Sequence, residues 1–289
     1  MASRRTKAIV GVVLVAGLAV GAGFGLHSLW STAKSHFNAD TCTIGDYDLD
    51  PSQAAVASTM VGAVTKFSPR LPDRAAVLVL AAALQESKLT NLAPGEGDRD
   101  SVGVLQQRPS QDWGKVPGGP NSIADREHRL NDVAFATTAF LDKLVEIPRW
   151  RRLSLADAVQ RVQISADGSL YAQHEPEATA LAQALLGRVP AGVTCDFGAP
   201  TKVASTATVA AQAAAQLGID SPAAADARTV RVPGAGWQTA AWFVANADRL
   251  GVERVSYAGK AWARGHGWKK AAAPTTEVVA TMYDLKKKK

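Results

Sequence analysis

Glu86 is the residue best placed to do chemistry. It closes the run from Asp73 to Ser87, which is apolar on nearly every face until its last turn. A helix that is hydrophobic all round is buried, so this one carries Glu86 from an apolar interior to the start of a long loop. Burial disfavours the ionised carboxylate, and the partial negative charge at a helix C-terminus acts the same way, so its pKa is expected above the ordinary value. A carboxyl kept protonated near neutral pH is suited to protonating a leaving oxygen, such as that of a glycosidic bond. An ordinary surface glutamate in a last helical turn is the plainer alternative.

The loop that follows, Asn91 to Ile123, is rich in Gly, Pro, Asp and Ser and too long to be an idle connection. Asp98 and Asp100 lie in it. They are the candidates for the second carboxylate that inverting glycoside hydrolysis places about 6.5–9.5 Å from the acid. The same Gly97-Asp98-Arg99-Asp100-Ser101 segment is also good turn and capping chemistry. Arg99 and Arg108 are expected to pair with those acids or to meet substrate carboxylates. Trp113 and Trp150 offer rings for stacking on sugars, although core packing is the default for Trp. The five histidines, His27, His36, His128, His174 and His266, lack metal-ligand spacing, so no metal and no cofactor is expected. There is no phosphate-cradling Gly-rich loop and no Ser-His-Asp order.

Helices must position these groups. Periodicity predicts them over Pro51–Lys66, Asp73–Ser87, Asn131–Val145, Ser154–Ser165 and Glu177–Leu186. Beyond Cys195 the composition shifts. Ala204 to Ala227 holds 11 alanines and reads as a linker or as one helix over Thr206–Leu217. Then follow a strand over Thr229–Val232, a helix over Trp237–Leu250, a strand over Glu253–Tyr257 and a Trp-flanked loop to Trp268. Four of the seven tryptophans fall in this last region, enough aromatic area for a small core.

The formal net charge of +6 describes the ends of the chain. Arg4, Arg5 and Lys7 supply three positive charges and Lys286 to Lys289 four, which leaves a body of net −1 and argues against nucleic acid as a partner. Ala8 to Leu26 is an uninterrupted apolar run of 19 residues, long enough to span a bilayer. The basic cluster before it places the N-terminus in the cytoplasm and the bulk of the chain outside. An uncleaved anchor is favoured over a cleaved signal peptide, because the run is long and has no convincing Ala-x-Ala-like site. The two cysteines, Cys42 and Cys195, bracket one long segment and are read as a disulfide staple, which suits an exported chain.

A resemblance sharpens the reading. Gln85-Glu86-Ser87-Lys88-Leu89 followed by Ser101-Val102-Gly103-Val104-Leu105-Gln106-Gln107 resembles the Glu-Ser and Gly-Leu-Met-Gln motifs of soluble lytic transglycosylases of the lysozyme superfamily. The chain is more closely similar to actinobacterial, membrane-anchored, lysozyme-like proteins. That similarity rests on Cys-Thr-Ile-Gly-Asp-Tyr from Cys42, Gly97 to Ser101, Gln106 to Gly114, Ala158 to Val162 and Tyr171 to Pro176. It covers roughly Cys42 to Leu186, with a weaker likeness over Gly236 to Trp268.

The resemblance implies glycan strands of peptidoglycan as substrate, Glu86 as catalytic acid and then base, and Ser87, Gln106, Gln107 and Tyr171 as substrate contacts. Transglycosylases commonly carry an Ala-Tyr-Asn-Ala-Gly segment. Here Ala158-Val159-Gln160-Arg161-Val162 stands in its place, and Tyr171 is the candidate for the aromatic hydroxyl.

The expected fold is mainly α: a lysozyme-like helical domain with a long loop and short β element, preceded by one transmembrane helix and followed by a small α/β domain. The expected divisions are a cytoplasmic tail 1–7, anchor 8–26, spacer 27–40, lysozyme-like domain 41–197, linker or helix 198–227, and C-terminal domain 228–289. Expected partners are glycan strands, the cytoplasmic membrane through 8–26, and envelope machinery through the C-terminal domain. The competing function is that of a non-catalytic wall-binding or assembly component.

Overall fold

The computed structural model describes residues 40–165, 167–219 and 222–287. The expected tail 1–7, anchor 8–26 and nearly all of the spacer 27–40 lie outside them. Among the described residues no helix is long and apolar enough to cross a membrane.

Strand β1 (Thr41–Ile44) pairs antiparallel with β2 (Tyr47–Leu49) on one side and with β3 (Val193–Asp196) on the other. Cys42 faces Cys195 across that second pair, and the two are joined by a disulfide spanning 153 residues of chain. Between the first and last of these strands run α1 (Pro51–Lys66), α2 (Arg74–Ser87), α3 (Ile123–Leu130), α4 (Val133–Glu146), α5 (Leu155–Gln163), α6 (Ser169–Ala172) and α7 (Glu175–Leu185). The first two form the centre. All of Leu78, Val79, Leu80, Ala81, Ala82 and Ala83 of α2 are fully buried, packed between α1 and α7.

Helix α3 stands outside the expected helices; it is short, and only Leu130 of its eight residues is buried. Its start is set locally by a capping box between Ser122 and Asp125. Two of its arginines then hold the long loop: Arg126 donates to Asn121 O and Pro109 O, and Arg129 to Gly114 O, at 2.8–2.9 Å.

After β3 come α8 (Thr206–Leu217), β4 (Ala223–Ala224), β5 (Thr229–Val232), α9 (Trp237–Ala245), α10 (Ala247–Leu250), β6 (Val252–Tyr257), β7 (Lys260–Ala263), β8 (Gly267–Lys270) and β9 (Val278–Met282). The single helix expected over Trp237–Leu250 breaks at Asn246, which is fully buried and donates back to Trp242 O at 2.8 Å. The Trp-flanked loop is instead the β7–β8 hairpin, with Trp262 opposite Trp268.

These strands make a six-stranded antiparallel sheet in the order β4-β5-β9-β6-β7-β8. The fold is therefore α+β, with two antiparallel sheets. The expectation of a mainly α chain with a small appended α/β domain is corrected on both counts. Strands of two to six residues carry too little periodicity to be told from loop, and β1 finds its partner β3 only in three dimensions.

The two sheets share one body, since Asp40–Lys289 is a single compact unit. Helix α9 packs on α1, α7 and β3. Trp262 and Trp268 donate from their indoles to Cys195 O and Val193 O, at 3.1 and 2.7 Å. Arg264, only 8% exposed, donates to Val252 O, Gly198 O and Ala247 O, so its burial is matched by three acceptors.

Candidate active site

Glu86 owes its position to how α2 ends. Lys88 and Leu89 take left-handed conformations, φ 53° and 61°, and donate from their backbone N–H groups to Leu84 O and Ala83 O, each at 3.1 Å. This is a left-handed closure whose bonds reach back four and six residues, unusual in using no glycine. Two contacts hold it in place: Leu89 is fully buried, and Gln53 of α1 donates to Lys88 O at 2.7 Å.

The loop meets this terminus through a tight reversal in which Val102 and Gln107 bridge antiparallel. Gly103 makes the approach feasible, for it has φ +77° and a Cβ there would stand 2.3 Å from Leu130 O. Ser87 Oγ donates to Val104 O at 2.8 Å. Ser87, expected as a substrate contact, thus fastens the loop to α2.

Tyr171 projects from α6 and donates its hydroxyl to Glu86 Oε1 at 2.6 Å. Buried to 1% exposure, it stands behind the carboxyl and does not line the opening. One residue back, Gln85 Oε1 accepts from Gln173 Nε2 at 3.1 Å and lies 3.0 Å from His174 Nε2. The α6–α7 junction therefore grips both Gln85 and Glu86. Burial raises the pKa of Glu86, and hydrogen bonding from Tyr171 and the nearby Gln163 amide offsets part of that rise. The Tyr171 hydroxyl is pushed well above its ordinary pKa, first by burial and then by its bond to Glu86, so it stays a donor.

In front of Glu86 lies a cleft of about 390 Å³. The long loop forms one wall with Asp98, Arg99, Ser101, Gln106, Gln107, Arg108, Gln111 and Trp113, and Gln163, Ile164 and Ser165 form the other. Gln106 sits at φ 46°, donates to Gly103 O at 2.8 Å and rests its Oε1 against Gly97. Gln107 is in the floor, 2% exposed. Its Nε2 donates to Ala136 O at 3.1 Å, while its Oε1 has no partner among the described residues.

The two loop acids part company. Asp100 accepts from Ser110 N–H and from Arg108 Nε, both at 2.7 Å, and hydrogen bonding from the Ser110 side chain and backbone, then from Arg108, holds its carboxyl far below the usual range. It braces the loop and does not line the cleft. Asp98 does line it with Glu86, at 89% side-chain exposure and with only a 3.8 Å contact to Arg99. Cys42 and Cys195 lie outside the cleft.

Sequence reasoning did not find Gln163, Ile164 and Ser165. The helix expected to run to Ser165 stops at Gln163, and Ile164 turns left-handed, φ 54°, with 80% of its surface exposed. A β-branched residue at positive φ is an outlier that no propensity foretells, and such strain gathers at functional sites. Ala158, Val159 and Val162, where a transglycosylase has its Tyr-Asn segment, are buried in the core.

No protein-family model matches the chain, and no curated protein matches it.

Proposed function

We propose that the chain cleaves glycosidic bonds in the glycan strands of peptidoglycan, with Glu86 as proton donor. One observation carries this reading: a half-buried carboxyl of raised pKa, held by Tyr171 at one oxygen, opens into a cleft walled by amide and guanidinium groups. With Oε1 engaged, Oε2 carries the proton to the oxygen leaving C1 of N-acetylmuramic acid. Tyr171 then stabilises the carboxylate that remains. That carboxylate draws the proton from the sugar's 6-hydroxyl as this oxygen closes on C1, leaving a 1,6-anhydro end, while the substrate's own N-acetyl group stabilises the positive centre. Gln106, Gln111 and Gln163 suit sugar hydroxyl and N-acetyl groups, and Arg99, 70% exposed, suits a sugar carboxylate.

The same proposal places the chain outside the cytoplasmic membrane, held by residues 8–26. The apolar run and the Cys42–Cys195 disulfide support it.

The six-stranded sheet contributes no residue to the cleft, and this favours a second reading, wall binding or envelope assembly without cleavage. Incubating the full chain with purified peptidoglycan separates the two. The catalytic reading expects soluble muropeptides lighter by one water than hydrolysed ones, lost in Glu86→Gln while wall binding persists. Failure to release any fragment from wall that a control lysozyme digests would sink it.

A further inference from the structure

A second concave site lies at the far end of α2. Arg74 begins that helix and Glu86 ends it, which separates the two sites by about 18 Å along the helix axis. The connection from α4 to α5 holds three arginines in four residues, Arg149, Arg151 and Arg152, on either side of Trp150. All three are exposed, and among the described residues none forms an ion pair.

The cluster is not a sample of a basic body. Cys42 to Cys195 carries 15 Lys and Arg against 18 Asp and Glu, a net of −3. Free guanidinium groups gathered within this acidic segment, with only the exposed Glu146 close by in sequence, concentrate positive potential in one place.

The connection is shaped as well as charged. Residues 145 and 147–152 enclose about 590 Å³. Trp150 is 4% exposed and forms the fixed base, with the Arg151 guanidinium 5.0 Å from its ring centroid. Arg149 is held at φ 59°, an unfavourable conformation for a residue with a side chain. Arg74 Nη2 donates to Leu153 O at 2.6 Å, which pins the connection to α2, and its buried Nε has no partner among the described residues.

Guanidinium groups pair with phosphate oxygens two bonds at a time. Beside them Val145 is 40% exposed, and Pro148 is exposed too. A soluble anion gains nothing from an apolar rim, whereas a headgroup layer meets both the charges and the exposed hydrocarbon. We propose that residues 145–152 bind the phosphate groups of an anionic lipid bilayer and orient the body on the membrane surface. This rests on the proposed anchor at residues 8–26 and not on peptidoglycan cleavage.

Hydrogen exchange across residues 145–153 tests it, with the full chain incorporated into nanodiscs. Discs of phosphatidylcholine with phosphatidylglycerol are expected to protect this segment, and discs of phosphatidylcholine alone are not. Arg149→Gln/Arg151→Gln/Arg152→Gln is expected to weaken the anionic-disc effect on the order of 100-fold. Should that variant fold poorly, the wild-type protection must fall steeply as salt is raised. Equal protection on both discs, or none on either, overturns the proposal. So does protection by soluble glycerol phosphate polymer with none on the anionic discs, which assigns the cleft to a free polyanion instead.

Discussion

Tyr171 Oη donates to Glu86 Oε1 across 2.6 Å, joining residues 85 apart in the chain. The bond favours the carboxylate, while burial, the larger effect, favours the acid. Tyr171→Phe removes the smaller force, so the pKa of Glu86 rises further and the alkaline limb of the activity profile moves to higher pH. The lost hydrogen bond is expected to cost about 1 kcal/mol of stability. Activity is expected to fall roughly 10–100-fold through loss of positioning. Rates measured against pH decide between roles, because a purely structural Tyr171 leaves the limb where it was.

Glu86→Gln keeps an acceptor for Tyr171 and removes the charge. The folded-state pKa of Glu86 is raised, so its contribution to stability is fully present below its ordinary value of 4.5 and is lost as pH rises through the folded pKa. The variant is therefore expected to exceed the wild type by roughly 0.5–2 kcal/mol at pH 7. That advantage should disappear near pH 4, and cleavage should be abolished. Thermal unfolding at the two pH values is the measurement.

The loop acids can be separated by one pair of variants. Asp100 has a depressed pKa, so its contribution is present above the ordinary 3.8 and is lost as pH falls through the folded value. Asp100→Asn is expected to cost about 1 kcal/mol at neutral pH, a modest figure because the pair with Arg108 is near the surface. Asp98→Asn is expected to leave stability within about 0.5 kcal/mol. If the product is an anhydro sugar its turnover is also unchanged; a large loss of turnover with Asp98→Asn would assign that carboxylate to water activation and the reaction to hydrolysis.

Gly97 leaves room for Gln106. A Cβ there would stand 2.4 Å from Gln106 Oε1 and 2.6 Å from Ser101 O, and the second of these belongs to the backbone and cannot swing aside. Gly97→Ala is expected to cost about 1–3 kcal/mol. It should raise KM for glycan more than it lowers kcat, since Gln106 is displaced while Glu86 is not. Steady-state kinetics on a soluble glycan oligomer provide the readout.

Replacing both cysteines removes the bond between β1 and β3 without touching the cleft. Cys42→Ser/Cys195→Ser is expected to lose about 2–5 kcal/mol in denaturant unfolding. Its kcat should stay unchanged under conditions where it remains folded, because neither cysteine lines the site.

Residues close together in sequence declared much of this protein. The run apolar on nearly every face foretold a buried helix over Asp73–Ser87 with Glu86 in its last turn, and α2 forms over Arg74–Ser87 with Lys88 as its cap. The helix over Thr206–Leu217 forms with those bounds, closed by Gly218 at φ 65°. The raised pKa of Glu86 was also legible, because it follows from burial, which periodicity encodes. The pairing of Cys42 with Cys195 could be read from two cysteines bracketing one long segment of a chain expected to be exported.

Contacts between distant segments decided the rest. The small sheet needs β3 to come back beside β1, and the larger one seats β9 between β5 and β6, pairings that strands of four to six residues do not announce. Asp98 and Asp100 look equivalent in the sequence, and only the position of Arg108 and Ser110 N–H takes one of them out of the cleft. Ser87 was drawn to Val104, Tyr171 to Glu86, and Ile164 was turned to the opening by the packing around it. Periodicity reports which face of an element is buried, because that depends on neighbours three or four residues away. Which partner a polar side chain meets depends on the folded path of the whole chain, and that was settled only by the tertiary structure.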